Sequence, residues 1–146
     1  MALWQISFSI IPKNYTEDKI RANQMEDWFN KDEFWQGAEI TDSIFSSINS
    51  VLPKTNSWSD SMILYGEEET NCLNILIENN YVASVSFRID FRTNYENIVR
   101  NIIELCITNG FNIMYDSHSI IPLNFESINS IIQASPQISI YNKLSS

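Results

Sequence analysis

The chain has 146 residues, a formal charge of −9, 44% hydrophobic and 12% aromatic residues, and two cysteines. That length fits one domain, 1–146, able to bury a core without covalent staples, and the composition excludes disorder along the whole chain. Apolar runs such as Met62-Ile63-Leu64-Tyr65 fall far short of the roughly 20 residues that cross a bilayer, so no membrane span is expected, and the acid excess disfavours direct binding to a phosphate backbone.

Residues 3–11 alternate Leu3, Gln5, Ser7 and Ser9 with Trp4, Ile6, Phe8 and Ile10, the pattern of a half-buried strand. With no basic region ahead of it, this segment reads as a first strand and not a signal peptide, which makes the cytoplasm the expected compartment. Thr16, Glu17 and Asp18 resemble a helix start, because a hydroxyl and first-turn acids satisfy orphan N–H groups and the dipole; Ile20, Met25, Trp28 and Phe29 give that helix a weak apolar face. A second helix begins at Thr41 or Asp42, with Ile44, Phe45, Ile48, Val51 and Leu52 on one face and Pro53 as its stop.

Three strand-like runs follow, 61–65, 71–78 and 81–92, separated by "GEEET" and by Asn79-Asn80. Paired Asn residues tolerate the positive φ of a tight hairpin, so the three runs form an antiparallel meander. Strict alternation over 81–92 places Tyr81, Ala83, Val85, Phe87, Ile89 and Phe91 on one side, and Val82, Ser84, Ser86, Arg88, Asp90 and Arg92 on a wet one. Thr93-Asn94-Tyr95-Glu96 has the form of a capping box ahead of a helix through Ile98, Val99, Ile102, Ile103 and Cys106 that Asn109-Gly110 ends. Residues 111–116 read as a strand, Pro122 and Asn124 open a last helix that Ser135-Pro136 ends, and "QISIYNKLSS" adds an edge strand or frays. The expected fold is α+β: an antiparallel or mixed sheet with a central three-strand meander, and helices packed mainly on one face.

Signatures of catalysis are missing. Only three glycines are present, no G-x-S-x-G occurs, and neither cysteine has a histidine nearby in sequence. His118 stands alone in "YDSHSIIP", Glu67-Glu68-Glu69 does not follow the spacing of a calcium loop, and Cys72 and Cys106 fall in apolar elements as buried thiols, with a disulfide left open. No metal or cofactor is therefore expected, and no catalytic residue. Arg88, Asp90 and Arg92 at i, i+2, i+4 form ion pairs on a strand face, or hold an anionic ligand.

The charge is uneven: residues 1–73 hold twelve acids against five bases. Trp35 and Trp58 lie in the same acidic half as Glu67, Glu68 and Glu69. Core packing under loops is the default for such aromatics; aromatics beside acids are also what an anchor patch for a basic protein looks like, and the field would speed that protein's approach.

The succession "FWQG" (34–37), "SWSDSMILYGEEE" (57–69), "RIDFR" (88–92) and "IIPLNFESINSIIQAS" (120–135) resembles a family of small acidic, mostly uncharacterised bacterial proteins similar to immunity proteins of polymorphic toxin systems. The resemblance runs in order from Trp35 to Ser135 through motifs of a structural kind, and brings no active site with it. It implies a non-enzymatic protein that covers a toxin with an acidic, aromatic-bearing surface: Trp35, Trp58, Glu67, Glu68 and Glu69, with Arg88, Asp90 and Arg92 at its side. Two other classes compete with it: a small ligand-binding domain or enzyme using the Arg88, Asp90 and Arg92 face, and a homo-oligomeric module joined through "ISIYNKL".

Overall fold

The computed structural model describes residues 3–13, 35, 38–57, 59–116 and 119–145. Trp58, His118 and the helix expected after Thr16 lie outside them. The fold is α+β, as the residue pattern implies, but its sheet is wider than a three-strand meander. Seven strands, all paired antiparallel, run β1 (Gln5–Pro12), β2 (Lys54–Thr55), β3 (Met62–Gly66), β4 (Cys72–Glu78), β5 (Tyr81–Asp90), β6 (Phe111–Tyr115) and β7 (Ser119–Ile121) along the chain. Their spatial order is β2-β3-β4-β5-β1-β6-β7. The meander β3-β4-β5 forms one half, and the first strand sits between β5 and β6.

Register sorts the side chains into rows. Phe8, Phe87, Leu73 and Tyr65 lie opposite one another across four strands, as do Ile113, Ile10, Val85, Ile75 and Ile63 across five. Alternation puts these two rows on one face, and nearly all their members are fully buried. Phe8 stacks on Phe87 at 5.0 Å between ring centroids. Each such phenyl contributes about 1.5–3 kcal/mol through removal from water. The opposite face carries a row Ser7, Arg88, Cys72, Gly66 and a row Ser9, Ser86, Asn74, Leu64, Thr55. The first face belongs to the core; the second is largely polar.

Strict alternation fails at one point in β5. The register slips between Leu76 and Ile77 of β4, so Ile77 faces Val82 where unbroken pairing would bring Ala83. The bulge turns Val82 into the core at 3% exposure and leaves Tyr81 41% exposed, reversing the expected sides at this end of the strand. Asn79 and Asn80 close the preceding hairpin with φ of 52° and 70°, the left-handed pair of a two-residue turn.

The segment Asp42–Ser50 is a 3-10 helix instead of the expected α-helix. Its buried residues, Phe45 and Ile48, are three apart, the spacing that eclipses in a 3-10 turn. Thr41 supplies no cap because its hydroxyl is bonded to that of Ser43 at 2.9 Å. Phe45 stacks on Phe111 at 5.8 Å, and Trp35 meets Phe111 edge-on at 5.1 Å. Helix α1 (Glu96–Asn109) ends on Gly110 at φ 71° and packs on β6 and the 3-10 helix. Its expected capping box does not form: the N-cap is Tyr95, and the Thr93 hydroxyl donates to the Asp90 carbonyl at 2.8 Å.

Helix α2 (Phe125–Gln133) is capped by Asn124, whose side chain accepts from the Ser127 N–H at 2.8 Å. Through Ser145 the tail is neither edge strand nor frayed. Pro136 opens helix α3 (Pro136–Ser145) at the first position, where its missing N–H is harmless, and Tyr141 packs edge-on against Phe91 at 5.5 Å.

Candidate functional site

Strands β3 and β4 are joined by Glu67-Glu68-Glu69-Thr70-Asn71, and the three glutamates are exposed. The turn starts at Gly66, φ 84°, where a Cβ would stand 2.2 Å from the Asn71 carbonyl oxygen. Only glycine permits so close an approach. Thr70 N–H donates to the Glu67 carbonyl at 3.1 Å and Glu67 N–H to that of Asn71 at 3.2 Å.

The backbone of this turn is fastened to the far side of the sheet by residues from β1 and its approach. Trp4 Nε1 donates to the Glu69 carbonyl at 2.8 Å, and Gln5 Nε2 reaches the carbonyls of Glu68 and Thr70 at 2.7 and 2.6 Å. Arg88 Nη1 approaches the Glu68 carbonyl at 3.5 Å. Asn71 ties in the other end, accepting the Asp90 N–H at 2.7 Å and donating to the Thr93 hydroxyl at 2.9 Å. The carbonyls are thus spent on the sheet. Among the described residues, no ion pair or side-chain hydrogen bond engages the carboxylates of Glu67, Glu68 or Glu69.

Asp90 corrects the expected wet face. It is 0% exposed, with Gln5 opposite it on β1 and the Asn71 side chain, beyond the end of β4, on its other flank. Arg92 clasps it with Nε on Oδ1 at 3.0 Å and Nη2 on Oδ2 at 2.7 Å, and the Arg92 N–H adds 2.9 Å to Oδ1. Such two-pronged, charge-assisted pairing is the strong form. The hydrogen bond from Arg92 to Asp90 raises the guanidinium above its ordinary pKa, and the Arg92 guanidinium lies over the Trp4 ring at 4.0 Å. The Asp90 carboxylate is thus taken up by Arg92, and only its backbone N–H meets the end of the turn, at Asn71.

Trp35 likewise belongs to the core and not to an anchor patch. It is 2% exposed, and its indole N–H donates to the Ile10 carbonyl at 3.0 Å. That carbonyl sits at the last matched pair of β1 and β5, so Trp35 fills the place where the two strands part. The structure brings Glu67, Glu68, Glu69, Arg88, Asp90 and Arg92 into one assembly and leaves Trp35 outside it. Trp4, Gln5, Asn71 and Thr93, which fasten the assembly, carry no motif. The nearest signal is Gln5, polar beside the apolar run of the first strand.

Beside the turn lies a groove of about 450 Å³ lined by Thr55, Asn56, Ser57, Leu64, Gly66, Glu67 and Glu68. Both cysteines are free and buried. Burial pushes the Cys106 thiol up to about 12; Cys72 is raised by burial against the opposing pull of Arg88. Neither is an activated nucleophile. Among the described residues, no group of three or more His, Cys, Asp or Glu is placed to hold a metal ion, and no helix is long and apolar enough to cross a membrane. No family model, curated protein or solved structure matches the chain.

Proposed function

We propose that this is a non-enzymatic binding protein that presents its acidic turn to a basic protein partner, in the manner of an immunity protein covering a toxin. The carrying observation is the division of labour in the turn. Its backbone carbonyls at Glu68, Glu69 and Thr70 are held by Trp4 and Gln5, while its three carboxylates stay exposed. A turn fixed before binding loses less entropy when a partner arrives. The charge of −9 adds long-range attraction to a basic surface. The Asp90–Arg92 pair supports this reading over a ligand site on that strand, since both Asp90 oxygens are already taken by Arg92.

The test is capture of the tagged protein's partners from its host at low and at high salt. A single stoichiometric, basic protein retained at moderate salt supports the proposal, and its own activity then names the toxin. Retention of nothing basic at either salt contradicts it.

A self-associating module is the second reading. Ile140 and Leu144, one turn apart on α3, are 47% and 73% exposed, an apolar pair open to a second copy. A monomeric mass at high concentration removes that reading.

A further inference from the structure

We propose that the groove beside the acidic turn receives one lysine or arginine side chain from the protein partner. This rests on the turn being the partner-facing surface and names the feature of the partner that docks beside it. The groove has a floor and a rim of different chemistry. Leu64, 5% exposed, offers carbon for the methylene stem of a long side chain. At the rim stand the exposed carboxylates of Glu67 and Glu68, with the polar side chains of Thr55, Asn56 and Ser57 along the other wall. Apolar floor and anionic rim match a cationic side chain at both ends.

The alternative mode of docking, a partner strand added to the β2–β3 edge, is disfavoured here. Strand β2 has two residues, and the Lys54 N–H is already given to Asn49 Oδ1 at 2.8 Å. Farther along β3, the Ser57 hydroxyl donates to the Met62 carbonyl at 2.5 Å and the Met62 N–H donates to Ser59 at 3.2 Å. An edge with these three backbone groups occupied is a poor template for a strand. Recognition therefore proceeds through side chains entering the groove. Its volume of about 450 Å³ is more than one long side chain needs, so entry is not sterically barred.

The experiment titrates the full chain, at low ionic strength, with a blocked Gly-Arg-Gly-Arg-Gly peptide and its citrulline counterpart, following backbone amides by NMR. The arginine peptide is expected to shift Thr55, Asn56 and Gly66 in a saturable way, and the neutral citrulline peptide to leave them unmoved. Two variants at an exposed position separate groove from turn: Asn56→Trp fills the groove, and Asn56→Lys places a cation of its own in it. Each is expected to weaken the peptide about tenfold or more, as is the triple change of Glu67, Glu68 and Glu69 to Gln. Unchanged binding to both Asn56 variants, with loss in the triple variant, overturns the groove and leaves the acidic turn standing. Unchanged binding in all three variants, or equal shifts with the citrulline peptide, overturns both.

Discussion

The indole N–H of Trp4 donates to the carbonyl of Glu69 at 2.8 Å across 65 residues of chain, and the same ring lies beneath the guanidinium of Arg92 at 4.0 Å. One side chain thus joins the acidic turn to the buried Asp90. Trp4→Phe keeps an aromatic face for Arg92 and removes the donor. The expected result is a loss of about 1 kcal/mol with faster hydrogen exchange confined to the amides of Glu67, Thr70 and Asn71. Exchange left unchanged at those amides would show that the indole does not hold the turn.

Asp90 is fully buried and accepts hydrogen bonds from the Arg92 backbone and side chain. Its removal takes three hydrogen bonds from Arg92 and leaves a void at a buried position. Asp90→Ala is expected to lower unfolding free energy by roughly 2–4 kcal/mol, read by chemical denaturation. Arg88→Ala, which loses a long contact to the turn and a charge near Cys72, should cost well under half of that.

Gly66 tests the turn from its other end. A Cβ there would meet the Asn71 carbonyl oxygen at 2.2 Å while the backbone holds φ at 84°. Gly66→Ala is expected to destabilise by more than about 2 kcal/mol, above the usual penalty for a left-handed alanine alone, whereas Gly110→Ala, with open space around its Cβ position, should lose about 1 kcal/mol. Equal losses in the two variants would contradict the close approach at Gly66.

The thiols give the pH dependence. Cys106 is raised by burial from its ordinary 9.0 to about 12, so above pH 9 the unfolded chain releases a proton that the native state keeps. Stability from this group is complete below pH 9 and falls as pH rises toward 12, by up to about 1.4 kcal/mol per pH unit. Cys72 and Tyr65, both raised chiefly by burial, act in the same direction. Cys106→Ala should flatten the alkaline limb of a stability–pH curve; an unaltered limb would rule the thiol out.

The sequence pattern reveals most of the fold because its strongest signals are local. Asn79-Asn80 needs no tertiary context to specify a turn, nor does the stripe from Ile98 to Cys106 to specify a helix. Where long-range contacts compete, local reading fails. Thr93 has the spacing of a capping box, yet its hydroxyl serves Asp90 and Asn71. The β5 bulge depends on a register slip against β4, which no alternation along β5 alone reveals. The acidic turn was visible as a charge run and the Arg88–Arg92 segment as a charged strand, but their union was not. It is made by Trp4 and Gln5, some 63–65 residues from the carbonyls they bind.

If a preorganised acidic turn captures a basic protein, the rate of capture reports on it most directly. The measurement is the association rate of the captured partner with the wild type and with the variant carrying Gln at positions 67, 68 and 69, across a range of salt. The variant is expected to fold like the wild type and to associate about tenfold more slowly at low ionic strength, the two proteins converging as salt screens the field. Equal association rates at low salt would contradict capture by the turn.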